Sequence, residues 1–267
     1  MIDDGPVREL LRSSDLEIEG QLRAASNTTV RCLVADPAGG VVRCVYKPLS
    51  GERPLWDFAD GTLGRREVAT YALAQALGWR IIPPTTWRDD GPLGPGMVQL
   101  WIDEIPESPL IDLVSPQAVP DGWAVVLEGE DAIGQPIVLA HSRDERLLRL
   151  AVLDVIVNNA DRKGGHVLVD RSGGLWGIDH GVTLAAEEKL RTVLWGWADE
   201  PIPEDLLRDI TAVLDAGPAL PDEVMRALDR QERRALTGRM RELVDTGSMP
   251  AIPAPEDRWP VIPWPVF

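Results

Sequence analysis

The chain has 267 residues, of which 44% are hydrophobic and 26% charged, ordinary values for a globular protein with room for one large domain or two lobes. With 27 Lys and Arg against 43 Asp and Glu, the formal net charge of −16 argues against partnership with nucleic acid or an anionic membrane surface. The N-terminus lacks the basic start and apolar centre of a secretory signal, and no apolar run reaches bilayer length. A cytoplasmic protein without stable membrane association is therefore expected.

The first hundred residues read mainly as strands. Alternating apolar positions predict a three-strand meander over 16–24, 28–36 and 41–48, clearest in Val30, Cys32 and Val34 and again in Val42, Cys44 and Tyr46. The connection at 37–40, Pro-Ala-Gly-Gly, suits a hairpin that brings Cys32 near Cys44. In a reducing compartment two buried thiols are expected there rather than a disulfide. The earlier turn, around Ser26 and Asn27, has two readings: an ordinary polar connection, or a set of backbone N–H groups able to hold a phosphate. Lys47 ends the third strand, either as a solvated strand end or as one half of an ion pair. A helix is predicted over 65–77 from the spacing of Val68, Tyr71, Ala72 and Ala76, with Gly78 as its stop. Glu67 lies in its first turn, where the helix dipole tolerates a carboxylate; it is either structural or the partner of Lys47. Two more strands are predicted over 81–88 and 96–101, the second ending in Gln99, Leu100 and Trp101.

Beyond residue 105 the composition changes. The segment 110–134 is acidic and reads as loop, and 142–158 reads as a helix whose apolar second half, with Asp154 inside it, is buried. There follows 158–181, NNADRKGGHVLVDRSGGLWGIDHG, a loop and then a hairpin reversing through the polar, glycine-rich stretch 170–174. Pairing Val169 near Leu175 sets His166 roughly opposite Asp179 at the open end, where Asp161 also enters. Helices are predicted over 203–214 and 221–244, and a Pro-rich tail over 250–267 is expected to lie extended, packing its Trp and Phe on the surface. His141 and His180 read as hydrogen-bonded structural residues.

A lysine on the third strand, a helix bearing Glu, and an Asp loop before a hairpin ending in Asp give the layout of a two-lobed kinase, an α+β protein with a β-rich N-lobe and a mainly helical C-lobe. The 161–166 stretch, Asp-Arg-Lys-Gly-Gly-His, resembles the catalytic loop of phosphoinositide 3/4-kinase-like enzymes, Asp-Arg-His-x-x-Asn, and the 178–181 stretch, Ile-Asp-His-Gly, resembles their metal-binding Asp-Phe-Gly segment. The chain is similar overall to the actinobacterial proteins grouped with that atypical-kinase family, and HipA-like kinases share the general pattern. The resemblance implies lobes at 1–101 and 102–249, followed by the tail at 250–267. It implies that Lys47 contacts nucleotide phosphates, that Glu67 orients Lys47, and that Ser26 and Asn27 cover the phosphates. Gln99, Leu100 and Trp101 would lie along the base, Asp161 would receive or orient the acceptor hydroxyl, and Asp179 would hold the divalent metal.

The implied cofactors are ATP or GTP with Mg2+ or Mn2+. The implied acceptor is a hydroxyl of a protein, the chain itself included, or of a small molecule. One departure stands out: His166 occupies the place of the family's metal-binding Asn. Either it joins Asp179 at the metal, which would favour manganese over magnesium, or it hydrogen-bonds within the loop. Two other classes compete with the kinase reading, a nucleotide-binding pseudokinase acting as a regulator or scaffold and, ranked last, a metal-dependent phosphohydrolase.

Overall fold

The computed structural model describes residues 4–22, 27–36, 39–58, 62–105, 109–216, 220–254 and 260–267. A short helix, α1 (Asp4–Ser13), precedes β1 (Glu17–Gln21), β2 (Val30–Ala35) and β3 (Val41–Pro48); α2 (Leu63–Ala76), β4 (Thr85–Gly91) and β5 (Gly94–Leu100) follow. The strands form one antiparallel sheet in the order β1-β2-β3-β5-β4. The alternation seen in the sequence sorts the faces: Val30, Cys32, Val34, Cys44, Tyr46 and Val98 join Leu11 of α1 in a small core. Cys32 and Cys44 stand directly opposite each other as buried thiols. Lys47, one residue out of phase with Tyr46, faces the other side, toward α2.

Residues 110–134 are not a loop. They contribute β6 (Ile111–Val114) and β7 (Trp123–Glu130), which flank β8 (Pro136–Ser142) in a second antiparallel sheet. The β7–β8 reversal is held by Asp131, whose carboxylate accepts from the N–H groups of Ile133 and Gln135. Because β8 runs to Ser142, the following helix starts late: α3 (Glu145–Val157) is capped by Asp144, which accepts from the N–H of Arg146.

α3 is the axis of the main core. Leu150, Leu153 and Ile156 are fully buried, each contributing about 1.5–3 kcal/mol by transfer from water. Around it pack β9 (Val167–Val169), β10 (Leu175–Gly177), α4 (Glu204–Asp215), α5 (Asp222–Ala227) and α6 (Arg230–Thr246). The stretch expected as one helix over 221–244 is two, because Asp229 and Glu232 form a reciprocal cap that starts α6 afresh. The result is an α+β, two-lobed, kinase-like fold, with α2 facing the second lobe. Arg66 of α2 donates to the carbonyl of Thr183 and pairs with Glu232.

Candidate active site

The hairpin forms in the expected register, with Leu175 opposite Val169 and Gly177 opposite Val167. Its turn is organised by Asp170, whose carboxylate accepts from the N–H groups of Ser172 and Gly174 and from the indole of Trp176. At the open end the N–H of Ile178 donates to the carbonyl of His166, and Nε2 of His166 lies 3.4 Å from Oδ2 of Asp179. Asp179 adopts a left-handed backbone at φ 59°, a costly conformation for a residue with a Cβ and one that concentrates at functional sites.

The loop before the hairpin hangs on a buried network. Arg162 and Asp154 are both fully buried, and the guanidinium bonds the carboxylate through two donors at 2.9 and 3.0 Å. The remaining donor, Nη1, reaches the carbonyls of both His166 and Ile178, at 3.2 and 3.0 Å, so a single side chain spaces the Asp161 loop from the Asp179 loop. Nη2 also donates to Nε2 of His180 at 2.6 Å; a guanidinium only donates, so this imidazole is neutral and protonated on Nδ1. Asn159 completes the set, donating to Asp154 and accepting from the N–H of Asp161. The sequence assigned none of these roles to Arg162 or Asn159.

Three residues from separate parts of the chain then meet. Nζ of Lys47 lies 2.7 Å from Oε1 of Glu67 and 2.8 Å from Oδ1 of Asp179. Burial works against the Lys47 ammonium, but the two carboxylates outweigh it and its pKa rises above the usual lysine value. For Asp179 the Lys47 charge dominates over burial and holds the carboxyl well below the ordinary range. Burial dominates for Glu67 and lifts its pKa to about 7, while Lys47 restrains the shift. His166 is pushed down to about 4 by burial, so its imidazole is neutral near pH 7. Asp161 is raised by burial, against the pull of Lys163, whose Nζ lies 3.3 Å from Oδ2.

Lys47, Glu67, Asp161 and Asp179 line one cleft of about 380 Å³, which Asn27 also enters. Asn27 accepts from the N–H of Arg53; Ser26 lies outside the described residues. Glu52, which the sequence reading passed over, caps α2 through the N–H groups of Leu63 and Gly64 and lines the same cleft. Gln99, Leu100 and Trp101 do not line it. The Gln99 amide donates to Thr85, and the N–H groups of Leu100 and Trp101 are taken by the carbonyls of Pro84 and Arg43.

A divalent ion fits the donors present. Among the described residues there is no cluster of three or more His, Cys, Asp or Glu side chains able to hold an ion unaided. The Asp179 carboxylate, half-exposed to the cleft, and the neutral His166 offer two donors side by side. A site this sparse suits an ion whose remaining ligands are phosphate oxygens and water.

The fold is that of kinase-like proteins. The Golgi casein kinase matches with a TM-score of 0.53 over 92% of this chain and 76% of its own, at 12% identity. A second structure of that kinase, with Mn and ADP bound, gives 0.53 over 91% and 75%. Hydra Fam20 with sugar gives 0.55 over 90% and 86%, at 13% identity. At such identities the likeness is one of fold. No protein-family model matches the chain. Protein Rv2133c of Mycobacterium tuberculosis is 43% identical over 270 residues, covering 97% of this chain and 94% of that protein, and the chain belongs to its family.

Proposed function

We propose that the chain is a phosphotransferase of the atypical-kinase class, phosphoinositide 3/4-kinase-like in its motifs, moving the terminal phosphoryl group of ATP or GTP to a hydroxyl. The observation that carries this reading is the convergence of Lys47, Glu67 and Asp179 in one cleft with Asp161. Phosphoryl transfer asks little covalent chemistry of a protein and much positioning and charge neutralisation. Lys47 would take up a phosphate oxygen while Glu67 holds its ammonium in place. Asp161, made more basic by burial, would orient the acceptor hydroxyl and receive its proton as the oxygen attacks phosphorus and the nucleoside diphosphate departs. A magnesium or manganese ion, held by Asp179 and His166 together with the phosphates, would neutralise charge on the phosphate oxygens. The Golgi casein kinase with Mn and ADP supports that pairing of cofactors.

The acceptor best supported is a protein side chain, the chain's own included, or a soluble small molecule. The net charge of −16 opposes a lipid substrate at an anionic surface, and among the described residues no helix is long and apolar enough to cross a membrane. We read 1–101 as the nucleotide lobe, 102–249 as the catalytic lobe, and the cytoplasm as the compartment.

A second reading, a pseudokinase that binds nucleotide without transfer, is favoured by one departure: His166 stands where the catalytic loops this stretch resembles carry a metal-binding Asn. Incubation with labelled ATP or GTP in magnesium or manganese, followed by mass spectrometry of the protein, separates the two. Label that accumulates in the parent but not in Asp161→Asn supports the kinase. Tight nucleotide binding with no Asp161-dependent transfer or hydrolysis supports the pseudokinase.

A further inference from the structure

The tail is tied to the catalytic loop from behind the cleft. The carbonyl of Val266 accepts from the N–H of Gly164 at 2.8 Å, and the side chain of Val266 is 5% exposed, sunk into the main core. The ring of Phe267 packs directly on Gly164: a Cβ built there would sit 2.7 Å from both Cδ1 and Cζ, a distance real side chains do not tolerate. A second tie lies upstream, where the carbonyl of Val261 accepts from the N–H of Thr192 and the indole of Trp195. The 191–193 strip is itself laced to the loop, through Arg162 N–H to the Arg191 carbonyl and Val193 N–H to the Arg162 carbonyl. The loop 161–166 is thus held by the 191–193 strip, and the tail is bonded both to that strip and to the loop itself.

The position of Gly164 gives the contact its consequence. It opens the single helical turn Gly164–His166, where an N–H has no partner within the turn, and the tail supplies the acceptor. Asp161 lies three positions before that turn, and His166 closes it. None of the residues 260–267 lines the cleft. Trp264, between the two ties, is 84% exposed and takes no part in the packing.

We propose that Val266 and Phe267 are positioning residues: they fix the 164–166 turn and so set where Asp161 stands in the cleft and where His166 stands beside Asp179. The inference rests on the phosphotransferase reading for its kinetic consequence, but not for its structural one. Four variants of the 267-residue chain test it: Phe267→Ala, Gly164→Ala, the two combined, and Trp264→Ala. Hydrogen exchange read by mass spectrometry should show the peptide covering 161–169 exchanging at least about tenfold faster in Phe267→Ala, with 145–157 unchanged. Phosphoryl transfer should fall about tenfold in kcat with KM for ATP in magnesium within about twofold, because Lys47, Glu67 and Asp179 are left in place. Gly164→Ala should lose activity by forcing the ring away, and the double variant should be no worse than the poorer single, since the added methyl then meets no ring. Trp264→Ala should match the parent.

Unchanged exchange over 161–169 in Phe267→Ala overturns the proposal whatever the activities, as does a double variant whose losses multiply. A parent that transfers no phosphoryl group sinks the proposed function instead, and the exchange comparison still decides the role of the tail.

Discussion

Nζ of Lys47 lies 2.8 Å from Oδ1 of Asp179 across 132 positions of sequence, joining the third strand of the first sheet to the mouth of the hairpin in the second lobe. The ammonium is shared with Glu67, and the two carboxylates keep it charged against burial. Lys47→Met should lower phosphoryl transfer by about 100-fold or more, the scale of losing one preorganised charge at a transferring group. Lys47→Arg should not restore it, because a planar guanidinium cannot meet both carboxylates at the point where a compact ammonium does. Single-turnover transfer from labelled ATP measures this, and a Lys47→Met variant retaining half the parent rate would remove Lys47 from the mechanism.

How much of this site the sequence carried differs from one residue to the next. The hairpin register was legible because the apolar runs 166–169 and 175–178 flank a turn of unmistakable composition, which put His166 and Asp179 at one end. The meeting of Lys47 with Asp179 came from a resemblance and not from any local pattern, since no periodicity relates residues so far apart. The second sheet was hidden because β7 opens with the unbroken apolar run 123–127 before Glu128 and Glu130, and its ladder shifts register between Val125 and Leu127, so the alternation that reveals a strand is absent. The break between α5 and α6 was written in the sequence as Asp229 and Glu232 at capping-box spacing. The role of Arg162 was not, because its partners Asp154, His166, Ile178 and His180 are assembled only by the fold.

That assembly sets the second prediction. Asp154 and Arg162 are fully buried, so removing one partner leaves the other charged and unpaired in the core. Asp154→Ala should cost about 3–5 kcal/mol of unfolding free energy. Replacing both by apolar residues of similar size should cost less than Asp154→Ala alone, since no charge is stranded. Urea denaturation gives both numbers, and a cost for Asp154→Ala under about 1 kcal/mol would show that the pair holds nothing together.

His141 supplies a pH dependence separate from the cleft. Its Nδ1–H donates to the carbonyl of Ser142, its Nε2 accepts from the N–H of Gly196, and the ring stacks on Trp197 at 4.4 Å. Burial pushes its pKa down to about 4, against the pull of the Ser142 carbonyl, and Arg143 beside it adds to the depression. With the folded value below the ordinary 6.5, the unfolded chain binds more protons between those limits, so stability falls as pH drops through that window. From pH 7 to pH 5 this one group should remove about 2 kcal/mol. His141→Gln should be less stable than the parent at pH 7 yet lose less on acidification; equal losses in urea titrations at the two pH values would rule the residue out as a source of acid sensitivity.

His166 carries the last prediction, because it stands where the catalytic loops that this stretch resembles have an amide. Burial keeps it neutral, and its Nε2 lies beside the Asp179 carboxylate, an arrangement that serves equally as a ligand pair or as a weak hydrogen bond. The two roles part on metal preference. An imidazole ligand is softer than an amide oxygen and adds more to manganese than to magnesium. If it binds the ion, His166→Ala should weaken nucleotide binding about tenfold or more in manganese and less in magnesium, and His166→Asn should recover magnesium affinity while losing the manganese advantage. Isothermal titration of ATP with each metal reads this directly. Equal affinities in the parent and His166→Ala, with either ion, would leave Asp179 as the protein's side of the metal site and confine His166 to the loop.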